Sequence, residues 1–216
     1  MITDIAMFVL EIIGTVAFAV SGALVSIRAK LDLLGVLLLG CITAVGGGIM
    51  RDILIGVFPP YIFSRWYIVL VAAVTSAVVF IVSYVHRHKF ISLQKRIEHI
   101  NNFFDALGLA AFTVTGTEMA FTHGLNGNML ISITLGVLTG VGGGVMRDIL
   151  VNDTPYILKK HVYALVSIGG ACLYYGLRIA LDESVTAIVT PMIVIVVLRM
   201  LAAKYRWSLP KIQIDE

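Results

Sequence analysis

The chain has 216 residues, of which 59% are hydrophobic and 13% are charged, and its formal net charge is +3. Soluble domains carry about 25% charged residues, and a soluble domain of this size could not bury so much apolar surface. The composition therefore excludes an ordinary soluble protein and predicts an integral membrane protein. With so small a net charge, we expect no nucleic-acid partner.

Seven apolar stretches are long enough to cross roughly 30 Å of hydrocarbon, and they must be helices because unpaired backbone groups are too costly in lipid. In chain order, spans one to seven are residues 5–27, 33–55, 67–85, 103–122, 129–151, 162–181 and 185–203. The predicted fold class is an all-α integral membrane protein with seven transmembrane helices.

The basic residues are concentrated on one side of these spans. The loops after spans one, three and five, together with the C-terminal tail, hold Arg28, Lys30, Arg87, Lys89, Lys95, Arg96, Lys159, Lys160, Lys204, Arg206 and Lys211. The opposite side holds only Arg65 and Arg178. Because loops rich in Lys and Arg stay in the cytoplasm, this bias predicts an outer N-terminus and a cytoplasmic C-terminus.

The sequence contains an internal repeat. Residues 14–22 match residues 108–116, and residues 40–54 match residues 136–150, at an offset of 94 to 96 residues. Three spans per unit is an odd number, so the second unit must cross the membrane in the opposite sense, which is the plan of many transporters. The predicted division is a first three-helix repeat (1–85), a basic cytoplasmic loop (86–102), a second, inverted three-helix repeat (103–181), and a seventh helix with a cytoplasmic tail (182–216).

Two glycine triplets interrupt the apolar pattern, with Gly46, Gly47 and Gly48 in span two and Gly142, Gly143 and Gly144 in span five. Each glycine costs about 1 kcal/mol in a helix relative to alanine, so three together favour a broken or kinked helix. In a membrane, a break is tolerated where it lines protein or water, and its free carbonyl groups suit a partly dehydrated cation. This places both triplets on a solute path, although close helix packing is the alternative.

Charged residues inside the spans form two layers: Glu11, Arg51 and Asp52 in the outer layer, and Asp105, Arg147 and Asp148 in the cytoplasmic layer. A charge that faces lipid costs about 3 kcal/mol or more, so we expect Glu11 to pair with Arg51 and Asp105 to pair with Arg147. Adjacent side chains on a helix point about 100° apart, so each Arg and each Asp should need a partner elsewhere. The pairs are structural locks, parts of a gate on the solute path, or both, since a gate can be a salt bridge that opens.

The sequence contains no nucleophile–base pair, no metal-ligand spacing and no phosphate-binding loop. The glycine triplets do not follow a predicted strand, so a dinucleotide fingerprint is also excluded. We therefore expect no enzyme activity, no bound metal and no cofactor.

Two copies of Gly-Gly-Gly-x-Met-Arg-Asp in a chain of this plan resemble the prokaryotic trimeric intracellular cation (TRIC) channel family, from Phe8 to Arg206. The resemblance implies a homotrimer in the prokaryotic cell membrane, in contact with its lipids. It also implies one pore per protomer, lined by spans one, two, four and five, that is permeable to monovalent cations, potassium above all, with sodium as a further permeating ion. The same sequence group includes proteins described as glycine transporters. The alternative is thus a carrier for glycine or another small neutral amino acid, with Arg51 or Arg147 holding the carboxylate.

Overall fold

The computed structural model describes residues 2–87, 93–159, 162–182 and 184–207, and every regular element within them is helical. The elements are α1 (Ile2–Arg28), α2 (Leu33–Leu54), a 3₁₀ turn (Tyr61–Phe63), α3 (Trp66–Val85), α4 (Gln94–Thr122), α5 (Met129–Leu150), α6 (Tyr156–Lys159), α7 (Val162–Leu181) and α8 (Val185–Tyr205). Lys89, Lys160 and Lys211, which contribute to the predicted orientation, lie outside the described residues.

The chain is an all-helical membrane protein. Helices α1, α2, α3, α5, α7 and α8 are long and apolar enough to cross a membrane and coincide with six of the predicted spans. Three of them begin at polar caps, where the side chains of Asp32, Asn128 and Ser184 accept hydrogen bonds from backbone N–H groups in the first turns of α2, α5 and α8. Such caps satisfy N–H groups that have no partner within the helix.

Helix α4 coincides with the fourth predicted span, but it is less apolar than the other long helices. It lies at the centre of the bundle and contacts α1, α5, α7 and α8. The prediction that residues 94–102 belong to a loop is wrong, because α4 begins at Gln94. Ile97 and Asn101, one helical turn apart, are both buried, so packing against the bundle extends the helix beyond the apolar stretch.

The predicted break at the glycine triplets is also wrong, because α2 and α5 are continuous α-helices through them. A methyl group at Gly47 would overlap the carbonyl oxygen of Thr139, and one at Gly143 would overlap the carbonyl oxygen of Thr43. The glycines therefore let the two helices cross in backbone contact, as small residues commonly do in membranes. A bend without a break stays a prediction.

Candidate functional site

A cavity of about 410 Å³ opens on the face of the bundle that carries the N-terminus of α1. We call this cavity the vestibule. Its polar lining comes from α1, α2, the 3₁₀ turn, α4 and α7, and includes Glu11, Arg51, Tyr61, Glu118 and Arg178. Five separate segments thus contribute polar groups to one open space among apolar helices.

Two ion pairs at the vestibule join residues from different segments. Arg65 donates through Nη1 to both carboxylate oxygens of Glu11, at 2.8 and 3.0 Å. Glu118 accepts from the Tyr174 hydroxyl at 2.6 Å and from Nε of Arg178 at 3.1 Å. These contacts tie α1 to the start of α3, and α4 to α7.

The predicted pair between Glu11 and Arg51 is not formed. Arg51 instead binds Oδ1 of its own neighbour, Asp52, through Nε at 3.0 Å and Nη2 at 2.8 Å. The other carboxylate oxygen of Asp52 accepts the backbone N–H of Tyr61 at 2.9 Å. The expectation that Arg51 needs a distant partner is wrong, because its long side chain can fold back along the helix, and Arg65 takes Glu11.

A smaller cavity of about 40 Å³ continues from the vestibule into the bundle. We call it the deep cavity. It shares Glu11, Arg51, Arg65 and Thr115 with the vestibule. The residues that line only the deep cavity include Thr15, Gly48, Phe112 and Thr139.

Phe112, which lines the deep cavity, packs against Phe18, with ring centroids 5.3 Å apart. The Phe18 ring also packs on Gly143, where α2 and α5 cross. Both aromatic side chains are buried. The two rings and the helix crossing are therefore packed together next to the deep cavity.

A second polar group, which we call the buried charge layer, lies on the other side of this crossing. It consists of Arg147, Asp105, Ser21, Asp148, Arg199 and Tyr163. Nη1 of Arg147 donates to Asp105 at 2.8 Å and to Ser21 at 2.6 Å, and its Nε donates to Asp148 at 2.8 Å. Arg147 and Asp105 are both 0% exposed. The predicted pairing of these two residues is confirmed, whereas their role on a solute path stays a prediction.

Asp148 repeats the bonding pattern of Asp52. Its second carboxylate oxygen accepts the backbone N–H of Tyr156 at 2.9 Å, and the Arg147 guanidinium lies 5.4 Å from the centre of the Tyr156 ring. Burial and the nearby Asp105 carboxylate raise the pKa of the Tyr156 phenol, so that the phenol remains neutral. Arg147 is thus bound by residues of α4, of α1 and of its own helix, α5.

Sequence reasoning missed two members of the layer, Arg199 and Tyr163. Arg199 is buried, with Nη2 3.7 Å from Oδ2 of Asp105, and its guanidinium lies 4.3 Å from the centre of the Tyr163 ring. An arginine inside the seventh apolar span was the available signal, because an intramembrane charge needs a partner. The layer contains two arginines and two aspartates, so its formal charge balances.

Several polar atoms in the layer have no hydrogen-bond partner within the described part of the protein. They are Oδ2 of Asp105, Nη2 of Arg147, the Tyr163 hydroxyl and Nε of Arg199. Buried polar atoms are normally satisfied, so each such atom calls for an explanation. Gly144 faces this group, since a methyl group there would lie 3.5 Å from the Tyr163 hydroxyl and 3.7 Å from Nη2 of Arg147.

The two glycine triplets therefore divide in the same way. The second residue of each triplet, Gly47 or Gly143, packs against the backbone of the facing helix. The third residue faces polar space, since Gly48 lines the deep cavity and Gly144 faces the buried charge layer.

Within the described residues, no three His, Cys, Asp or Glu side chains come together as a metal site.

A protein-family model described as "Glycine transporter" matches two stretches of the chain, residues 8–84 and residues 102–178. The chain is 36% identical over 211 residues to the UPF0126 inner membrane protein YadS of Escherichia coli (strain K12), covering 96% of each protein. It is 36% identical over 202 residues to the UPF0126 membrane protein YvgT of Bacillus subtilis (strain 168), covering 93% of this chain and 94% of that protein.

The fold is similar to solved structures of TRIC channels. A prokaryotic TRIC channel crystallised in 0.5 M KCl matches with a TM-score of 0.84 at 33% identity, over 95% of this chain and all of that one. The TRIC trimeric intracellular cation channel orthologue from Rhodobacter sphaeroides matches with a TM-score of 0.83 at 28% identity, over 94% of this chain and 99% of that one. A third chain, from a structural study of conductance through TRIC cation channels, matches with a TM-score of 0.80 at 34% identity, over 96% of this chain and 98% of that one.

Proposed function

The chain belongs to the prokaryotic TRIC channel family, to which the glycine-transporter sequence model also corresponds, and from this premise we propose that it is a cation channel of a bacterial cell membrane. The similarity of nearly the whole fold to TRIC cation channels carries the proposal. The relatives include a named inner membrane protein, which supports the location.

The route runs between α1, α2, α4 and α5. A cation enters the vestibule, passes the deep cavity beside Gly48, and meets the Phe18 and Phe112 rings. The buried charge layer lies at the far end, about 15 Å from Glu11 along α1, because Glu11 and Ser21 are ten residues apart. All of these residues belong to one chain, so the proposal places one pore in each protomer.

The finer architecture is part of the proposal. Helix α4 crosses the membrane as a seventh span, and its central position explains why it tolerates polar residues. The reciprocal contacts of Gly47 with Thr139 and of Gly143 with Thr43 support two inverted repeats, as do the two stretches matched by the family model. The Rhodobacter sphaeroides orthologue is described as trimeric, and we propose that this chain also forms a homotrimer.

The charges that line the vestibule bear on selectivity. The described lining residues include three carboxylates, Asp4, Glu11 and Glu118, and three arginines, Arg51, Arg65 and Arg178. Glu11 and Glu118 are bound by Arg65 and Arg178, so these ion pairs must rearrange before the two carboxylates can attract a monovalent cation. We propose potassium as the physiological ion and sodium as a second permeant ion.

A carrier for glycine or another small neutral amino acid is the second candidate. Two observations favour it: the description of the matching family model, and arginines and carboxylates lining the same cavity. Such a cavity offers one charge for the carboxylate of a zwitterion and the other for its ammonium group. A carrier would saturate with glycine, whereas a channel would pass potassium without it.

Potassium flux through liposomes containing the purified protein tests the function and the route together. We expect passive potassium flux without saturable glycine uptake, and at least a roughly tenfold loss of flux in Gly48→Leu, because the added side chain fills the deep cavity. Gly169→Leu is the matched control, since its site on α7 is exposed and has no neighbour within 4 Å of the added carbon.

Saturable glycine uptake without potassium flux would reject the channel function and support the carrier function. Normal potassium flux in Gly48→Leu would place the path elsewhere in the bundle. Equal losses in both variants would show that added volume, and not the deep cavity, causes the effect.

The orientation can be tested with single cysteines at two exposed positions, Asn126 before α5 and Lys204 near the end of α8. In a background without Cys41 and Cys172, we expect an impermeant thiol reagent to label Asn126→Cys from outside intact cells, and Lys204→Cys only after the cells are opened. The reason is the cytoplasmic bias of the basic loops. Labelling of both positions in intact cells would contradict the seven-span arrangement.

A further inference from the structure

The buried charge layer has an incomplete counterpart at the vestibule. Within the layer, Arg147 and Asp105 come from the second repeat and Ser21 comes from the first. At the offsets of 94 and 96 residues, the corresponding residues are Arg51, Glu11 and Thr115. The second set thus contains the same three groups: an arginine, a carboxylate and a hydroxyl. Here the arginine and the carboxylate come from the first repeat, and the hydroxyl comes from the second.

These three residues line the vestibule and the deep cavity together but are not assembled. Glu11 is bound by Arg65, Arg51 is bound by Asp52, and Oγ1 of Thr115 has no hydrogen-bond partner within the described residues. In the buried layer, Arg147 keeps its contact with Asp148 while it binds Asp105 and Ser21. The Arg51–Asp52 contact is therefore no obstacle to the same assembly at the vestibule.

Resting on the proposed route, we infer that Arg51, Glu11 and Thr115 form a second gate, which is open in this structure and which the Arg65–Glu11 ion pair holds open. In many transporters built from inverted repeats, one repeat rocks or gates against the other around a central site. The closed layer on one side then shows what the vestibule side becomes when Glu11 leaves Arg65. Arg65 and Arg51 compete for the Glu11 carboxylate. Binding by Arg65 keeps the gate open, and binding by Arg51 closes it.

The Arg65–Glu11 pair is partly exposed, at 45% and 22% for the two side chains. Exposed ion pairs of this kind are weak, so losing one shifts an equilibrium by up to about fivefold. Removing Arg65 should therefore favour the closed gate without unfolding the protein. Removing Glu11 as well should abolish closure, because Arg51 then has no carboxylate on α1 to bind.

The test measures access to the deep cavity and not ion flux. A single cysteine at Gly48, where an added side-chain carbon has only Nη2 of Arg51 nearby at 3.8 Å, reports the modification rate by an impermeant cationic thiosulfonate added on the vestibule side. The background lacks Cys41 and Cys172. Arg178→Gln is the matched control, because it removes an arginine from the same vestibule but leaves Glu11 untouched.

We expect Arg65→Gln to slow the modification by up to about fivefold relative to Arg178→Gln, and Glu11→Gln combined with Arg65→Gln to restore the rate. Equal or faster modification in Arg65→Gln would overturn the inference, and so would a double variant that stays slow. Because the readout is accessibility, the expected rates together with absent potassium flux would reject the channel and leave the gate standing.

Discussion

Replacing Arg147 by glutamine is expected to destabilise the protein by about 3–5 kcal/mol, because it leaves buried carboxylates without their main partner. Asp105 is 0% exposed, and its second ion-pair partner among the described residues, Arg199, is 3.7 Å away. Asp105→Asn should also destabilise, since Arg147 would lose one of its two carboxylates. Thermal unfolding in detergent measures both losses.

The double variant, Asp105→Asn with Arg147→Gln, is expected to lose less stability than the sum of the single variants. Residues in direct contact typically couple by about 0.5–3 kcal/mol, and two neutral amides can bond to each other. Arg51→Gln is the matched control, because this arginine has the same neighbouring aspartate but lies in a partly exposed position. Its loss of stability should be smaller but not absent, because Arg51 holds one carboxylate where Arg147 holds two, and that carboxylate, Asp52, is also buried.

Potassium flux separates the two roles that sequence reasoning left open for this pair. If the buried charge layer closes the path, the double variant should conduct more potassium than the unmodified protein. Unchanged flux with recovered stability would make the pair a structural lock alone. Additive losses of stability would show that the two residues do not interact.

The sequence predicted contacts that depend on depth in the membrane and missed those that depend on lateral position. Asp105 and Arg147 were paired correctly because both lie near one end of adjacent buried helices. Glu11 and Arg51 satisfied the same depth rule, yet Arg65 takes Glu11 from the segment just before α3. The placement of a residue outside the spans is set by how the connecting loop folds, which periodicity does not reveal.

Two other differences from the sequence predictions have the same physical cause: inside the bundle, a polar side chain is surrounded by protein and not by lipid. Arg199 was overlooked because its span is otherwise apolar, although Asp105 and the Tyr163 ring receive its charge. Helix α4 starts earlier than its apolar stretch because Asn101, fully buried, lies beside Ser21 on α1. The burial of polar residues in such positions depends on the side chains around them and cannot be predicted from their own hydropathy.

The glycine triplets predict the other large effect. Gly47→Ala is expected to lower stability by about 1–3 kcal/mol or more, because its methyl group overlaps the backbone of α5 at Thr139, which cannot rotate away like a side chain. Gly143→Ala should behave in the same way against Thr43. A break at the triplets would make the opposite prediction, since alanine is favoured over glycine by about 1 kcal/mol in a helix.

Gly48→Ala provides the matched control for this helix crossing. Its methyl group meets only Nη2 of Arg51, at 3.8 Å, which is an ordinary contact with a mobile side chain. It adds the same atom to the same helix one residue away, so helix propensity should leave it neutral or slightly stabilising. Thermal unfolding of the three variants in detergent decides between the models. If Gly47→Ala is as stable as Gly48→Ala, α2 and α5 do not cross in backbone contact, and the triplets regain their role as sites of bending.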